Sequence, residues 1–123
     1  MIKQERGNII NVSSVNSLMA GINRTVYCGA KGGVTMLTKG LAAEWAKYNI
    51  RVNAIAPGLT ITDINRQYFK ERPNELQKTL GNIPLARSAD IMDYAGAAVF
   101  FASDASNYVT GQTLFIDGGI TII

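Results

Sequence analysis

The sequence predicts an α/β fold, specifically the C-terminal half of a doubly wound parallel sheet, with about three strands and flanking helices in one partial domain over residues 1–123. Short runs rich in Ile, Val and Ala alternate with longer stretches in which apolar residues recur at helical spacing. That order is typical of a parallel sheet with crossover helices. The first run begins close to Met1, so we expect its edge to need covering by something outside these residues.

Two stretches predict the first strand and the first helix. The run "NIINVSS" (8–14) predicts a buried strand that ends in small polar residues, and a loop follows over 15–25. From Val26 to Lys47 the apolar residues recur at the spacing of one helix face, which predicts a long helix that ends near Asn49. The residues that form this pattern are Val34, Met36, Leu37, Leu41, Ala42 and Trp45.

The rest of the chain predicts two more strands separated by a lid. "RVNAIAP" (51–57) predicts a buried strand that is stopped by a Pro-Gly pair. Residues 59–82 are more polar and predict a mobile lid with one or two short helices. Asp90 is placed to cap a helix over 91–102, and "QTLFIDGG" (112–119) predicts the third strand.

Composition excludes several classes of function. The net charge is only +3 and no basic run exceeds two residues, so nucleic acid is not predicted as a partner. There is no histidine, which excludes a Ser-His-Asp site and most zinc sites built from this chain alone, so no metal is predicted. The single cysteine, Cys28, cannot form an internal disulfide and fits the reducing cytoplasm. No membrane span or signal peptide is predicted.

Tyr27 and Lys31 form the pair that points to chemistry. Residues four apart in a helix share a face, and a nearby ammonium generally favours the phenolate form of a tyrosine. Such a tyrosine can exchange a proton with an alcohol or a carbonyl oxygen near neutral pH. Ser14 follows the first strand and Pro57-Gly58 the second, where ligands of open α/β sheets bind. Each feature alone is more typical of a helix surface, a loop or a turn, and only their convergence favours a catalytic crevice.

Four stretches carry a resemblance that covers residues 7–119: "GNIINVSS", "YCGAKGGV", "RVNAIAPGLTITD" and "AGAAVFFASDASNYVTGQTLFIDGG". They resemble the classical short-chain dehydrogenases/reductases, in sequence and in spacing. The resemblance implies a Rossmann-like fold, NAD or NADP as the cofactor, and interconversion of a secondary alcohol and a ketone. Within the family the sequence looks most similar to dehydrogenases of sugar acids and polyols, such as gluconate dehydrogenases, and it also resembles acyl-carrier-protein ketoreductases.

The same resemblance implies roles for individual residues. Ser14 would orient the substrate oxygen, and Tyr27 would be the acid and base. Lys31 would favour the tyrosinate and hold the nicotinamide ribose. Both Tyr27 and Lys31 would contact the cofactor, together with a loop that lies against the nicotinamide and its carboxamide, formed by Pro57, Gly58, Thr60 and Thr62. Asp117-Gly118-Gly119 matches the end of the last strand.

The match also has departures, which leave two interpretations open. The family's glycine-rich phosphate-binding turn, its Asn-Ala-Gly strand end and its catalytic asparagine have no counterpart in these residues, since Asn11 and Asn16 match other positions. Ala89 and Ile91 stand where the family usually has glycine and proline. The chain is therefore interpreted either as the catalytic half of an oxidoreductase that needs a missing N-terminal half, or as a truncated, non-catalytic homo-oligomer with relic active-site residues.

Overall fold

A computed structural model describes all of residues 1–123 and contains a three-stranded parallel sheet. Its strands are β1 (Gly7–Val12), β2 (Ile50–Pro57) and β3 (Thr113–Ile116), in the order β1-β2-β3. The predicted fold class and the three predicted strands are confirmed. The third strand is shorter than predicted because the carboxylate of Asp117 accepts the N–H groups of Gly119 and Thr121, which turns the backbone.

The helix α1 (Thr25–Trp45) covers one face of the sheet. Ala42 packs with Ile50 and Val52 in a fully buried cluster, and a ring of half-buried apolar side chains surrounds them: Ile9, Leu41, Trp45 and Tyr48. The predicted long helix is confirmed. After Trp45 the α-helix passes into a 3-10 turn (Ala46–Tyr48), and Asn49, with a left-handed φ of 54°, ends that turn at the predicted position.

The helix α4 (Ala95–Ala102) lies against the opposite face. Asp90 caps the preceding 3-10 turn (Ile91–Tyr94) in a reciprocal arrangement with Asp93, so the predicted capping role is confirmed. The predicted helix over 91–102 thus begins as a tighter turn and becomes α-helical only at Ala95.

Two polar side chains of β2, Arg51 and Asn53, make hydrogen bonds to the end of α4 and to the backbone that follows it. Arg51 donates hydrogen bonds to the carbonyl oxygens of Phe101, Ser103 and Ser106, at distances of 3.0–3.1 Å, and so closes the C-terminal end of α4. Asn53 is fully buried; its Nδ2 donates to the carbonyl of Val109 at 2.9 Å and its Oδ1 accepts the N–H of Gln112 at 3.0 Å. Asn53 therefore fixes the loop that leads into β3.

Two short helices form the segment predicted as a lid: α2 (Arg66–Glu71) and α3 (Pro73–Gly81). Tyr68 of α2 donates to Glu75 Oε2 at 2.5 Å, and the guanidinium of Arg72 lies 4.5 Å from the centre of the Tyr68 ring. These contacts join the two helices. The prediction of one or two short helices is confirmed, with two present, while the mobility of this segment stays a prediction.

None of the helices combines the length and the apolar character that crossing a membrane requires. The acidic residues and the cysteine likewise form no group of three or more that could hold a metal ion.

The Asp93 carboxylate gives the fold one acid-sensitive contact. Its hydrogen bonds to Arg87 and to the Asp90 N–H lower the pKa of Asp93 to about 2. Because the pKa of this carboxyl is lower in the folded state than in the unfolded state, the contact stabilises the fold at pH values above the ordinary pKa of an aspartate. This contribution is lost as the pH falls from about 4 towards 2. We therefore expect Asp93→Asn to lower the urea midpoint at pH 6, with the difference from wild type shrinking through that window. Asp104→Asn, at an exposed carboxylate, is the control; an unchanged difference across the window would contradict this role.

Candidate active site

The candidate site lies where β1, β2 and the first turns of α1 meet. The strands are parallel, so their C-terminal ends share one edge of the sheet. Ser13 and Ser14 follow β1 there, and Gly58 follows Pro57, the last residue of β2. Tyr27 and Lys31 lie in the first two turns of α1, which begins at Thr25.

A set of hydrogen bonds fixes α1 against the end of β1. Ser13 Oγ donates to the carbonyl oxygen of Lys31 at 3.1 Å and lies 2.8 Å from Thr35 Oγ1. Three residues further along α1, the Thr38 Oγ1 accepts a hydrogen bond from Asn11 Nδ2 at 2.9 Å. Because Asn11 and Ser13 point to the same side of the sheet, these bonds set the rotation of α1 and hence the direction in which Tyr27 and Lys31 point.

Tyr27 and Lys31 lie on one face of α1, as predicted. The Lys31 Nζ is 5.8 Å from the centre of the Tyr27 ring, and it also donates to the carbonyl oxygen of Val12 at 2.9 Å. An ammonium group has three donors, so two remain free for a ligand. Tyr27 is 45 % exposed, which leaves much of the residue accessible to a small molecule.

Ser14 is nearly buried, with 6 % of its surface exposed. Its Oγ accepts the N–H of Asn16 at 3.2 Å, at the start of a 3-10 turn (Val15–Ser17). This bond uses an acceptor position of the hydroxyl, so its O–H is free to donate to a ligand oxygen within hydrogen-bond distance. The local turn therefore fixes the position of the Ser14 hydroxyl and leaves it able to donate.

The loop after β2 is held by several contacts. Asn65 Nδ2 donates to the Thr60 carbonyl and Asn65 Oδ1 accepts the Thr62 N–H, both at 2.8 Å. The Thr60 hydroxyl lies 2.5 Å from the hydroxyl of Tyr94, whose pKa is raised by burial. Gly58 is needed for packing, because a Cβ there would lie 2.7 Å from the Asp117 Cα. Its presence thus has a structural explanation independent of any cofactor.

An open cleft of about 670 Å³ runs between this edge and the helices α2 and α3. Of the predicted site residues, four line it: Ser14, Tyr27, Gly58 and Thr60. Three others, Lys31, Pro57 and Thr62, do not line it, and Lys31 instead lies near the Tyr27 ring. Sequence reasoning did not single out Arg24, Asn65 or Tyr68, which also line the cleft. The sequence signal that could have identified Arg24 was its position three residues before Tyr27.

Comparison with known proteins agrees with this geometry. A family model described as enoyl-(acyl carrier protein) reductase, which belongs to the short-chain dehydrogenases/reductases, matches residues 1–121. The chain belongs to the short-chain dehydrogenase/reductase family. The resemblance inferred from the sequence is therefore confirmed, while the roles of its individual site residues stay predictions.

Several short-chain dehydrogenases/reductases are similar to the chain over nearly all of its residues. It is 42 % identical to an L-rhamnose-1-dehydrogenase of Scheffersomyces stipitis, covering 99 % of this chain and 47 % of that protein. It is 46 % identical to a bovine 3-oxoacyl-[acyl-carrier-protein] reductase, covering 99 % and 48 %. A gluconate 5-dehydrogenase of Burkholderia cenocepacia J2315, solved in complex with NADP and tartrate, superposes with a TM-score of 0.93 at 41 % identity, covering 99 % and 48 %. The chain thus spans about half the length of these relatives.

Proposed function

We propose that this chain is the catalytic half of an NAD- or NADP-dependent oxidoreductase, which interconverts a secondary alcohol and a ketone in the cytoplasm. The observation that supports it most is the shared cleft of Ser14 and Tyr27, with the ammonium of Lys31 5.8 Å from the tyrosine ring. A sugar acid or a polyol is the proposed substrate class. The names of the relatives, an L-rhamnose dehydrogenase and a gluconate dehydrogenase among them, support that choice.

Each residue has one task in the proposed oxidation. The O–H of Ser14 donates to the substrate oxygen and holds it in the cleft beside Tyr27. Tyr27, as the phenolate, takes the hydroxyl proton of the alcohol, and in the reverse direction its O–H returns the proton to the ketone oxygen. The positive charge of Lys31 offsets the negative charge on the phenolate oxygen of Tyr27. A bound nicotinamide would accept or supply the hydride.

The residues near Tyr27 fit the nicotinamide end of such a cofactor. Lys31 has two ammonium donors left after its bond to Val12, enough to hold both hydroxyls of a ribose. Thr62 lies in the loop fixed by Asn65, with its backbone N–H already bonded. No glycine-rich phosphate-binding turn occurs among these 123 residues, so the pyrophosphate would be bound by the other half of the enzyme.

A second candidate function, a non-catalytic oligomerising chain, is supported by exposed apolar surface. Only 13 of 123 residues are buried, and large apolar side chains of two helices are exposed, including Met36 and Leu37 of α1 and Val99 of α4. Such surface favours association with a second copy or with the other half of an enzyme. The proposal of an oxidoreductase explains the same surface and also the arrangement of Ser14, Tyr27 and Lys31, which is why we prefer it.

The test is to reconstitute a complete enzyme. We would co-express the chain with the part of the Burkholderia gluconate 5-dehydrogenase that it does not match, and call the product the reconstituted assembly. The expected result is a saturable rise in melting temperature with NADP or NAD, since a ligand that binds only the folded state stabilises it. NADPH or NADH formation with sugar acids or polyols should follow.

The chain expressed alone is the control, and light scattering on both samples separates the two candidates. Cofactor-dependent turnover by the reconstituted assembly supports the oxidoreductase. A well-folded assembly that binds neither cofactor, together with a chain that forms a defined homo-oligomer by itself, would instead favour the second candidate.

A further inference from the structure

Arg24 differs from every other arginine in the chain. Four arginines form ion pairs with acidic side chains, namely Arg6, Arg66, Arg72 and Arg87. Arg51 donates to three carbonyl oxygens inside the fold. Arg24 has no ion pair with any acidic group of the chain, although it lines the same cleft as Ser14 and Tyr27. Its guanidinium thus offers five N–H donors to a ligand in that cleft.

The only acidic side chain that lines the cleft does not neutralise Arg24. Glu75 accepts the hydroxyl of Tyr68 at 2.5 Å and lies 3.8 Å from Arg72 Nε. The hydrogen bond to Glu75 raises the pKa of Tyr68, and the positive charges of Arg72 and Arg24 act in the opposite direction. The cleft therefore presents an uncompensated positive charge to its contents.

The loop before α1 holds the stem of Arg24 in place. A Cβ at Gly21 would lie 3.0 Å from Arg24 Cδ and 3.1 Å from Asn16 Nδ2, so the absence of a side chain at position 21 lets both groups pack there. Asn16 Nδ2 is itself held by the Met19 carbonyl at 3.2 Å, and the Arg24 N–H donates to the Gly21 carbonyl at 3.1 Å. Arg24 thus rests on an ordered loop at the wall of the cleft.

We propose that Arg24 binds a carboxylate of the substrate, so that the cleft selects hydroxy acids, such as sugar acids, over neutral polyols of equal length. A guanidinium matches a carboxylate with two parallel hydrogen bonds. Arg24 is the N-cap of α1 and Tyr27 is the third residue of that helix, and both line the same cleft, so one small molecule can reach both. The inference rests on the proposed function in placing the reacting hydroxyl at Tyr27.

The test is a binding measurement that does not need turnover. The ¹⁵N-labelled 123-residue chain is titrated with D-gluconate and, separately, with D-glucitol, a neutral polyol of the same length, and the arginine Nε–H signals are followed. We expect gluconate to move the Arg24 signal and to bind more tightly than glucitol. Loss of a charged pair of hydrogen bonds in Arg24→Gln should weaken gluconate binding by roughly 10- to 100-fold and leave glucitol binding unchanged.

Two further variants make the result specific. Arg24→Lys keeps the positive charge but loses the two parallel N–H donors of the guanidinium, so it should retain part of the preference for gluconate. Arg6→Gln, an exposed arginine beside Asp104, should bind both ligands like the wild type. Equal gluconate binding by wild type and Arg24→Gln, or no preference of the wild type for gluconate, would overturn the inference. Arg24-dependent binding without turnover in the reconstituted assembly would instead refute the proposed function and leave the role of Arg24 standing.

Discussion

Replacing Tyr27 with phenylalanine is expected to reduce the turnover of the reconstituted assembly by at least about 100-fold, the lower end of what a positioned acid or base contributes. The change removes one hydroxyl from a side chain that is 45 % exposed, so the packing of α1 should survive. The substrate oxygen would keep its hydrogen bond from Ser14 but lose the group that exchanges its proton. The effect should therefore fall on kcat, with KM little changed.

The measurement is steady-state oxidation of gluconate by the reconstituted assembly, with melting temperature and cofactor binding followed in parallel. Tyr108→Phe is the matched control, because the side chain of Tyr108 is fully exposed and does not line the cleft. A Tyr27→Phe assembly that is folded, binds the cofactor and retains most of its kcat would remove Tyr27 from the mechanism. A loss of activity that is accompanied by a large fall in melting temperature would indicate a structural role instead.

The sequence predicted those parts of the fold that depend on local pattern. The apolar run of β2 and the 3.6-residue period of α1 are strong signals, because burial of one face dictates which residues must be apolar. The ends of elements were predicted less well. The helical pattern was predicted to end near Asn49, where a left-handed backbone does end it. Its change to a 3-10 turn after Trp45, and the Asp117 turn that shortens β3, depend on local backbone angles and hydrogen bonds that periodicity does not record.

The candidate site shows the same division. The spacing of Tyr27 and Lys31 predicted a shared face, and the C-terminal ends of parallel strands predicted that Ser14 would lie near them. The contact of Lys31 with the Val12 carbonyl could not be predicted, since it depends on how α1 rests on the sheet. The absence of an acidic partner for Arg24 also depends on tertiary structure, because the acidic residues that could pair with this arginine are distant from it in sequence.

Asn53 offers the largest expected change in stability, because it is a fully buried amide whose donor and acceptor are both used. Asn53→Asp is nearly isosteric, but it replaces the Nδ2 donor with a carboxylate oxygen that faces the Val109 carbonyl. Leaving a buried charge without a partner costs roughly 3–5 kcal/mol of unfolding free energy. Since a whole domain is stable by only about 5–15 kcal/mol, the variant should lose a large part of its stability at neutral pH.

Urea unfolding of the chain, followed by circular dichroism, measures this loss, and Asn107→Asp at an exposed asparagine controls for the added charge. Acid should partly rescue Asn53→Asp. A buried carboxyl beside a carbonyl has its pKa raised in the folded state, and its protonated form can donate to Val109 in place of the lost amide N–H. The folded variant then binds more protons than the unfolded one, so its stability relative to wild type must rise as the pH falls. A deficit that is absent at neutral pH, or that does not shrink in acid, would show that Asn53 does not hold the loop before β3.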